Sequence, residues 1–172
     1  MDAFEIIKDR RSVKKYTDKP VPRELIEKVC RAGTWAATGM GRQSPIILAV
    51  TNKEVRDKLS KINAEVMGAK NDPFYGAPVV LVVLANKAMP TAIYDGSLVM
   101  GNMMIEAESL GLGSCWIHRA KEEFETEYGK RLLKELGIKG EYEGIGNLIL
   151  GYGDGGKPRP KPRKENYVYH ID

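Results

Sequence analysis

The stretch that most constrains this chain is APVVLVVLA, residues 77–85. It is apolar at every position, so a strand made from it needs cover on both faces. Its β-branched content suits a strand, and it is too short to span a bilayer. The frame is therefore a central strand with helices on either side. The chain has 172 residues, enough for one domain with a real core.

The flanking sequence supplies the cover. Residues 2–9 predict a short helix, and PRELIEKVCRAGTWAA (22–37) a second, with Pro22 in its first turn. Leu25, Ile26, Val29, Cys30 and Gly33 share one face of it. TGMGRQSP (38–45) is a Gly-rich loop, and IILAV (46–50) reads as a buried strand. Residues 53–67 predict a helix that turns Val55, Leu59, Ile62 and Val66 to the core. Residues 91–111 predict a long helix, apolar around most of its circumference and hence buried. A domain of this size cannot cover such a helix on all sides, which points to a partner subunit. Residues 112–118 and 145–152 predict strands, and 121–136 a charged amphipathic helix. Helices alternate with strands, as in α/β or α+β folds. No linker divides the chain, so 1–172 is one domain ending in a basic, Pro-rich tail, 157–172.

Charge narrows the partners. The chain holds 27 Lys and Arg against 23 Asp and Glu, with a pI near 9.0. KPRPKPRK (157–164) carries five of the basic residues and no acid, so the remainder is near neutral. The other concentration is DRRSVKKY (9–16), where Arg10, Arg11, Lys14 and Lys15 crowd around Ser12. Two small clusters suit a compact anion such as a phosphate better than a nucleic-acid surface. Nothing resembles a signal sequence or a membrane span, so a cytoplasmic protein is expected. Cys30 and Cys115 form no CxxC pair, and no His/Asp/Glu spacing suggests a metal site.

Two motifs are weaker than they look. GYGDGG (151–156) matches the dinucleotide pattern G-x-G-x-x-G, but KPRPKP follows it, and alternate prolines forbid the helix that must hold the pyrophosphate. It reads as a turn. Cys115 lies in an apolar strand beside Trp116, where cysteines are usually inert packing. The prolines of the tail stiffen it and hold Arg159, Lys161 and Arg163 to a common side.

In order, the chain runs helix, RRSVKKY, helix, AATGMGRQ, strand, central helix, GLGSCW, strand, LGYG and KPRK. This order resembles the nitroreductase-like family of FMN-dependent oxidoreductases, over Phe4 to Tyr167, in a compact form. The resemblance implies an α+β sandwich, a mixed central sheet with helices on both faces, in an intertwined homodimer with FMN at the interface. Carried over residue by residue, it implies that Arg10 (or Arg11) and Ser12 hold the FMN phosphate, with Lys161 and Arg163 joining from the tail. Lys14 would face the flavin N1–O2 edge. Gln43 would bond the pyrimidine side or ribityl chain from the partner subunit, and Gly113 and Ser114 would bring backbone close to N5. Many relatives have an Asn two positions before that Gln; here the position is Gly41. The implied activity is hydride transfer from NADH or NADPH, through the flavin, to a small electron-poor acceptor such as a nitroaromatic or quinone. Kinetics would be ping-pong, with no catalytic side chain required. The alternatives are a flavin protein of the same fold with another redox or non-catalytic role, and a phosphate or nucleic-acid binder.

Overall fold

The computed structural model describes residues 2–172. The frame is a sheet of four strands: β1 (Pro45–Val50), β2 (Val79–Asn86), β3 (Gly113–Ile117) and β4 (Tyr142–Gly151), in the spatial order β1-β2-β4-β3. All three strand ladders are antiparallel, and the parallel component is a single bridge between Ser12 and Ser114.

Strand β2 shows why its sequence is apolar throughout. Val79, Leu81, Val83 and Ala85 face one core, with Ile26 and Val29 of α2 (Arg23–Thr34) and Val99, Met100 and Met103 of α4 (Ala92–Ser109). Val80, Val82 and Leu84 face the other, with Leu59 of α3 (Lys53–Met67) and Phe124 of α5 (Ala120–Glu125). The register slips between Val83 and Leu84, opposite Gly146 and Gly144. That bulge leaves Ile145 to press on Gly96 of α4, where an added Cβ would lie 2.5 Å from its side chain. Helices α1 (Ala3–Asp9) and α6 (Glu127–Glu135) and a short 3-10 turn at Gly39–Gly41 complete the regular elements of the described residues.

Two expectations need correction, and a third, that one chain cannot cover the central helix, stands. β1 is an edge strand and only partly buried: Leu48 and Val50 are covered while Ala49 is exposed. The helix expected over 121–136 is two helices, α5 and α6. Thr126 between them is extended (φ −71°, ψ 160°), and its hydroxyl accepts the Gly129 N–H at 3.1 Å, which starts α6 anew. Helix α4 buries Val99, Met100 and Met103 but leaves Ile93, Tyr94 and Leu98 exposed, so this chain does not cover it. No described helix is long and apolar enough to cross a membrane.

Candidate functional site

Beyond α1 the chain runs alongside the ends of β3 and β4, and backbone hydrogen bonds fix it there. Val13 N–H donates to Ser114 C=O (3.0 Å), Thr17 N–H to Tyr152 C=O (2.9 Å) and Asp154 N–H to Lys15 C=O (2.9 Å). Gly113 lets this segment come close, since a Cβ there would stand 2.9 Å from the Val13 side chain. The three segments 12–15, 111–113 and 153–158 thus wall a cleft of about 470 Å³. A depression of about 520 Å³ between α6 and the start of β4 mixes Lys130, Lys134 and Lys139 with Glu125 and Glu141, and includes no residue of the motifs.

The basic residues of the N-terminal segment diverge. Arg11 folds back on α1: its Nη1 donates to the carbonyls of Lys8 and Arg10, both at 2.6 Å, and its Nε is buried without a partner. Arg10 makes no such side-chain bond among the described residues. Lys15 Nζ pairs with Asp154 at 2.7 Å. Lys14 has no carboxylate partner among the described residues, and its ammonium stands 5.4 Å from the centre of the Tyr75 ring. Ser12 is exposed, whereas Ser114 is buried.

Other expected residues lie elsewhere. Gln43 is exposed in a left-handed conformation (φ 49°), its N–H donating to Thr38 Oγ1 at 3.0 Å, and it faces a separate surface pocket with Arg42, Asn86 and Met89. Lys161 and Arg163 are exposed on the tail, Arg163 Nη2 donating to the Lys161 carbonyl at 2.9 Å. Of the tail cations only Lys157 lines the cleft, and it pairs with Glu108. Within one chain, then, Ser12, Lys14 and Gly113 come together, while Gln43, Lys161 and Arg163 stand apart. Cys115 is buried core, as its apolar strand suggested. The Cys30 thiol is pushed up to about 11, chiefly by burial.

Two acids that shape these loops were missed. Asp95 in α4 accepts the Gly39 N–H and the Thr91 hydroxyl, both at 3.0 Å, and the Ser44 hydroxyl at 3.4 Å, tying down the loop that carries Gln43. Its signal was an acid in the first turn of a helix that stays free of charge until Glu106. Asp72 accepts the N–H groups of Phe74 (2.8 Å) and Gly76 (2.7 Å), a turn its N-D-P setting announces. Burial works to raise the Asp72 carboxyl, but bonds from Ser60, Arg56 and those two N–H groups outweigh it and hold it below the usual carboxylate value.

Comparison with known proteins gives the family and the fold. The Nitroreductase family model matches residues 7–73 and 63–152. A candidate NADH dehydrogenase/NAD(P)H nitroreductase of Methanothermobacter thermautotrophicus is 31% identical over 120 residues, 67% of this chain and 60% of that protein. An FMN reductase [NAD(P)H] of Bacillus subtilis is 26% identical over 64% of this chain and 52% of its own length. The chain therefore spans only about half to three-fifths of these two relatives. A Bacteroides fragilis nitroreductase, solved with bound FMN, superposes with a TM-score of 0.88 at 25% identity over 100% of both chains. With the helix-flanked antiparallel sheet and the cleft between its first and last segments, the family match leads to one conclusion: the chain belongs to the nitroreductase family.

Proposed function

We propose that this chain is an FMN-dependent oxidoreductase that takes hydride from NADH or NADPH and passes it to an electron-poor acceptor such as a nitroaromatic or a quinone. The observation that carries the reading is the cleft wall, where an uncancelled lysine, an exposed hydroxyl and a glycine-rich edge meet from three segments. These residues fit the cofactor. A Cβ on Gly111, Gly155 or Gly156 would meet nothing within 4 Å, so the wall offers open backbone to a flat ring. Arg10 and Ser12 provide donors for a phosphate, the planar guanidinium matching its paired oxygens. When bound, FMN supplies the redox chemistry, accepting hydride and giving it up again. Lys14, at the cleft wall with no carboxylate partner among the described residues, would supply positive charge beside the reduced flavin. Gly113, in the cleft wall, and Ser114 just behind it would bring main chain toward the ring. Donor and acceptor use one cleft in turn, which gives parallel initial-velocity lines.

A homodimer completes the site. Gln43, Lys161 and Arg163 stand outside their own chain's cleft, and α4 leaves Ile93, Tyr94 and Leu98 uncovered. A second copy covers that face and receives the outlying side chains. A nicotinamide donor is supplied inside the cell, which supports a cytoplasmic location.

The first experiment is to add FMN to the purified chain, remove the excess by gel filtration, and record the visible spectrum and elution volume. Flavin co-eluting with a dimer is expected. A colourless protein that releases all added FMN overturns the reading, and the basic clusters would then be tried against nucleic acid.

A further inference from the structure

Lys14 and Lys15 are neighbours held in different ways. Lys15 is restrained by Asp154, which largely cancels its charge. Lys14 rests beside the Tyr75 ring at 5.4 Å, inside the range of attraction between a cation and an aromatic face. Both partners limit the motion of an ammonium, but only the carboxylate neutralises it. An aromatic ring keeps the charge in place and leaves it available to a third party.

Tyr75 occupies that position under strain. Its φ is 51°, a left-handed conformation that a side chain bearing Cβ adopts reluctantly. The backbone on either side leaves it little choice. Asp72 accepts the N–H groups of both neighbours, Phe74 and Gly76, and is itself held by Arg56 Nη2 at 2.5 Å and by Ser60. Arg56 Nε also donates to the Ala77 carbonyl at 3.1 Å, and the Phe74 ring is fully buried. Tyr75 itself is 38% exposed, so its ring is not placed for the core. Strained residues of this kind persist where the surroundings over-determine them, and they gather at functional sites.

We propose that Tyr75 is a positioning residue that holds the Lys14 ammonium at the cleft wall with its charge uncancelled, so that the charge acts on the bound redox group. This rests on the reading of Lys14 given above. The Asp72 clamp is what lets the loop keep a strained tyrosine there.

The test measures the midpoint potential of FMN in the reconstituted holoprotein. Lys14→Met should lower it, because a stabilising charge on the reduced form is lost. Tyr75→Ala should lower it by less, and should add nothing in the Lys14→Met background. Tyr75→Phe keeps the aromatic face and should leave the potential near that of the parent. Tyr75→Gly should shift the potential as Tyr75→Ala does, yet raise the thermal unfolding midpoint of the apoprotein by relieving the left-handed strain; a packing role predicts the opposite sign. A potential that moves with Lys14→Met but not with Tyr75→Ala overturns the proposal and leaves the proposed function standing. So does a Tyr75→Ala shift that is the same with or without Lys14. A potential indifferent to Lys14→Met removes the reading of Lys14, and the proposal with it.

Discussion

Two polar clusters in this molecule use similar groups to opposite ends. One lies between α3, α5 and β4, where Asn63, Glu123 and Asn147 are all 0% exposed. Asn63 Nδ2 donates to the His118 carbonyl at 2.7 Å and to Glu123 Oε1, Asn147 Nδ2 donates to Glu123 Oε1 at 2.9 Å, and Arg119 Nε donates to Asn63 Oδ1 at 3.1 Å. The other is the cleft wall, where Ser12 and Lys14 face solvent and Lys14 has no carboxylate partner among the described residues. Groups that satisfy one another inside specify how elements dock, because leaving any of them unpaired there is expensive. Groups left open at a surface are free to meet a ligand. Breaking the first cluster should therefore cost stability, and breaking the second should cost binding.

The largest effect is expected from Asn63→Leu. It strips partners from the His118 carbonyl, from Arg119 Nε and from Glu123, and buried groups so orphaned cost about 1–3 kcal/mol each. A loss of about 3 kcal/mol or more in urea unfolding should follow, with FMN affinity of the folded protein unchanged. A stability loss below about 1 kcal/mol would mean that water or rearrangement satisfies the cluster.

Glu123 makes the same region sensitive to pH. Burial pushes its carboxyl up to about 8, against the hydrogen bonds from Asn63 and Asn147. Its Oε2 and Asn147 Oδ1 are both buried without a partner, so an ionised carboxylate here would carry an unsolvated oxygen. The ordinary value is 4.5, so between about 4.5 and about 8 the folded chain holds a proton that the unfolded chain releases. That contribution to stability is complete below the lower value and is lost as pH rises through the upper one. Glu123→Gln keeps an oxygen for the two asparagines without titrating. The parent should therefore lose stability relative to this variant across that window. Urea midpoints that run parallel with pH would show Glu123 to be ionised throughout.

What could be read ahead of the structure divides along the same line. Helix α3 was expected over 53–67 and spans Lys53–Met67, because its signals are local: Asn52 accepts the Val55 N–H at 3.0 Å, and Gly68 closes it at φ 69°. The double-faced burial of β2 follows from its own residues. The break at Thr126 did not announce itself, because charged residues continue the helical pattern on either side of it. Asn147 sat inside IGNLILGY with no hint that Glu123 waits across the fold, since that pairing links residues far apart in sequence. The place of 153–158 in the cleft wall was missed, since GYGDGG read only as a turn. The approach of segment 12–15 to 111–113 was likewise invisible to periodicity and entered through the family resemblance. So did the grouping of Gln43, Lys161 and Arg163 with that cleft, which one chain alone does not assemble.

Just before the cleft segment in sequence, the two arginines sharpen the contrast between groups already used and groups left free. If Arg10 holds the FMN phosphate as proposed, Arg10→Ala removes a charge-assisted contact of about 1.5–3 kcal/mol, and FMN affinity should fall roughly ten-fold or more with little change in unfolding. Arg11→Ala removes the cap on the carbonyls of Lys8 and Arg10 and should cost about 1 kcal/mol of stability while sparing affinity. The reverse pattern, measured by fluorescence titration of FMN, would exchange the two roles.

The smallest effect is expected at Lys15. Its pair with Asp154 is well exposed, at 75% and 47% of the two side chains, so water screens it. Exposed pairs of this kind contribute about 0.2–1 kcal/mol. The backbone bond from Asp154 N–H to the Lys15 carbonyl does not depend on the side chain and survives its replacement. Lys15→Met should thus barely change the unfolding midpoint. It does leave Asp154 uncompensated at the wall of a cleft proposed to take an anion, and on the same energy scale FMN affinity should fall by about two- to three-fold. Adding Asp154→Asn should restore that affinity, because the unpaired carboxylate and not the missing ammonium is the cause. If the second substitution restores nothing, Lys15 itself meets the ligand, and pairing with a carboxylate is then no guide to which cations of this cleft are spent.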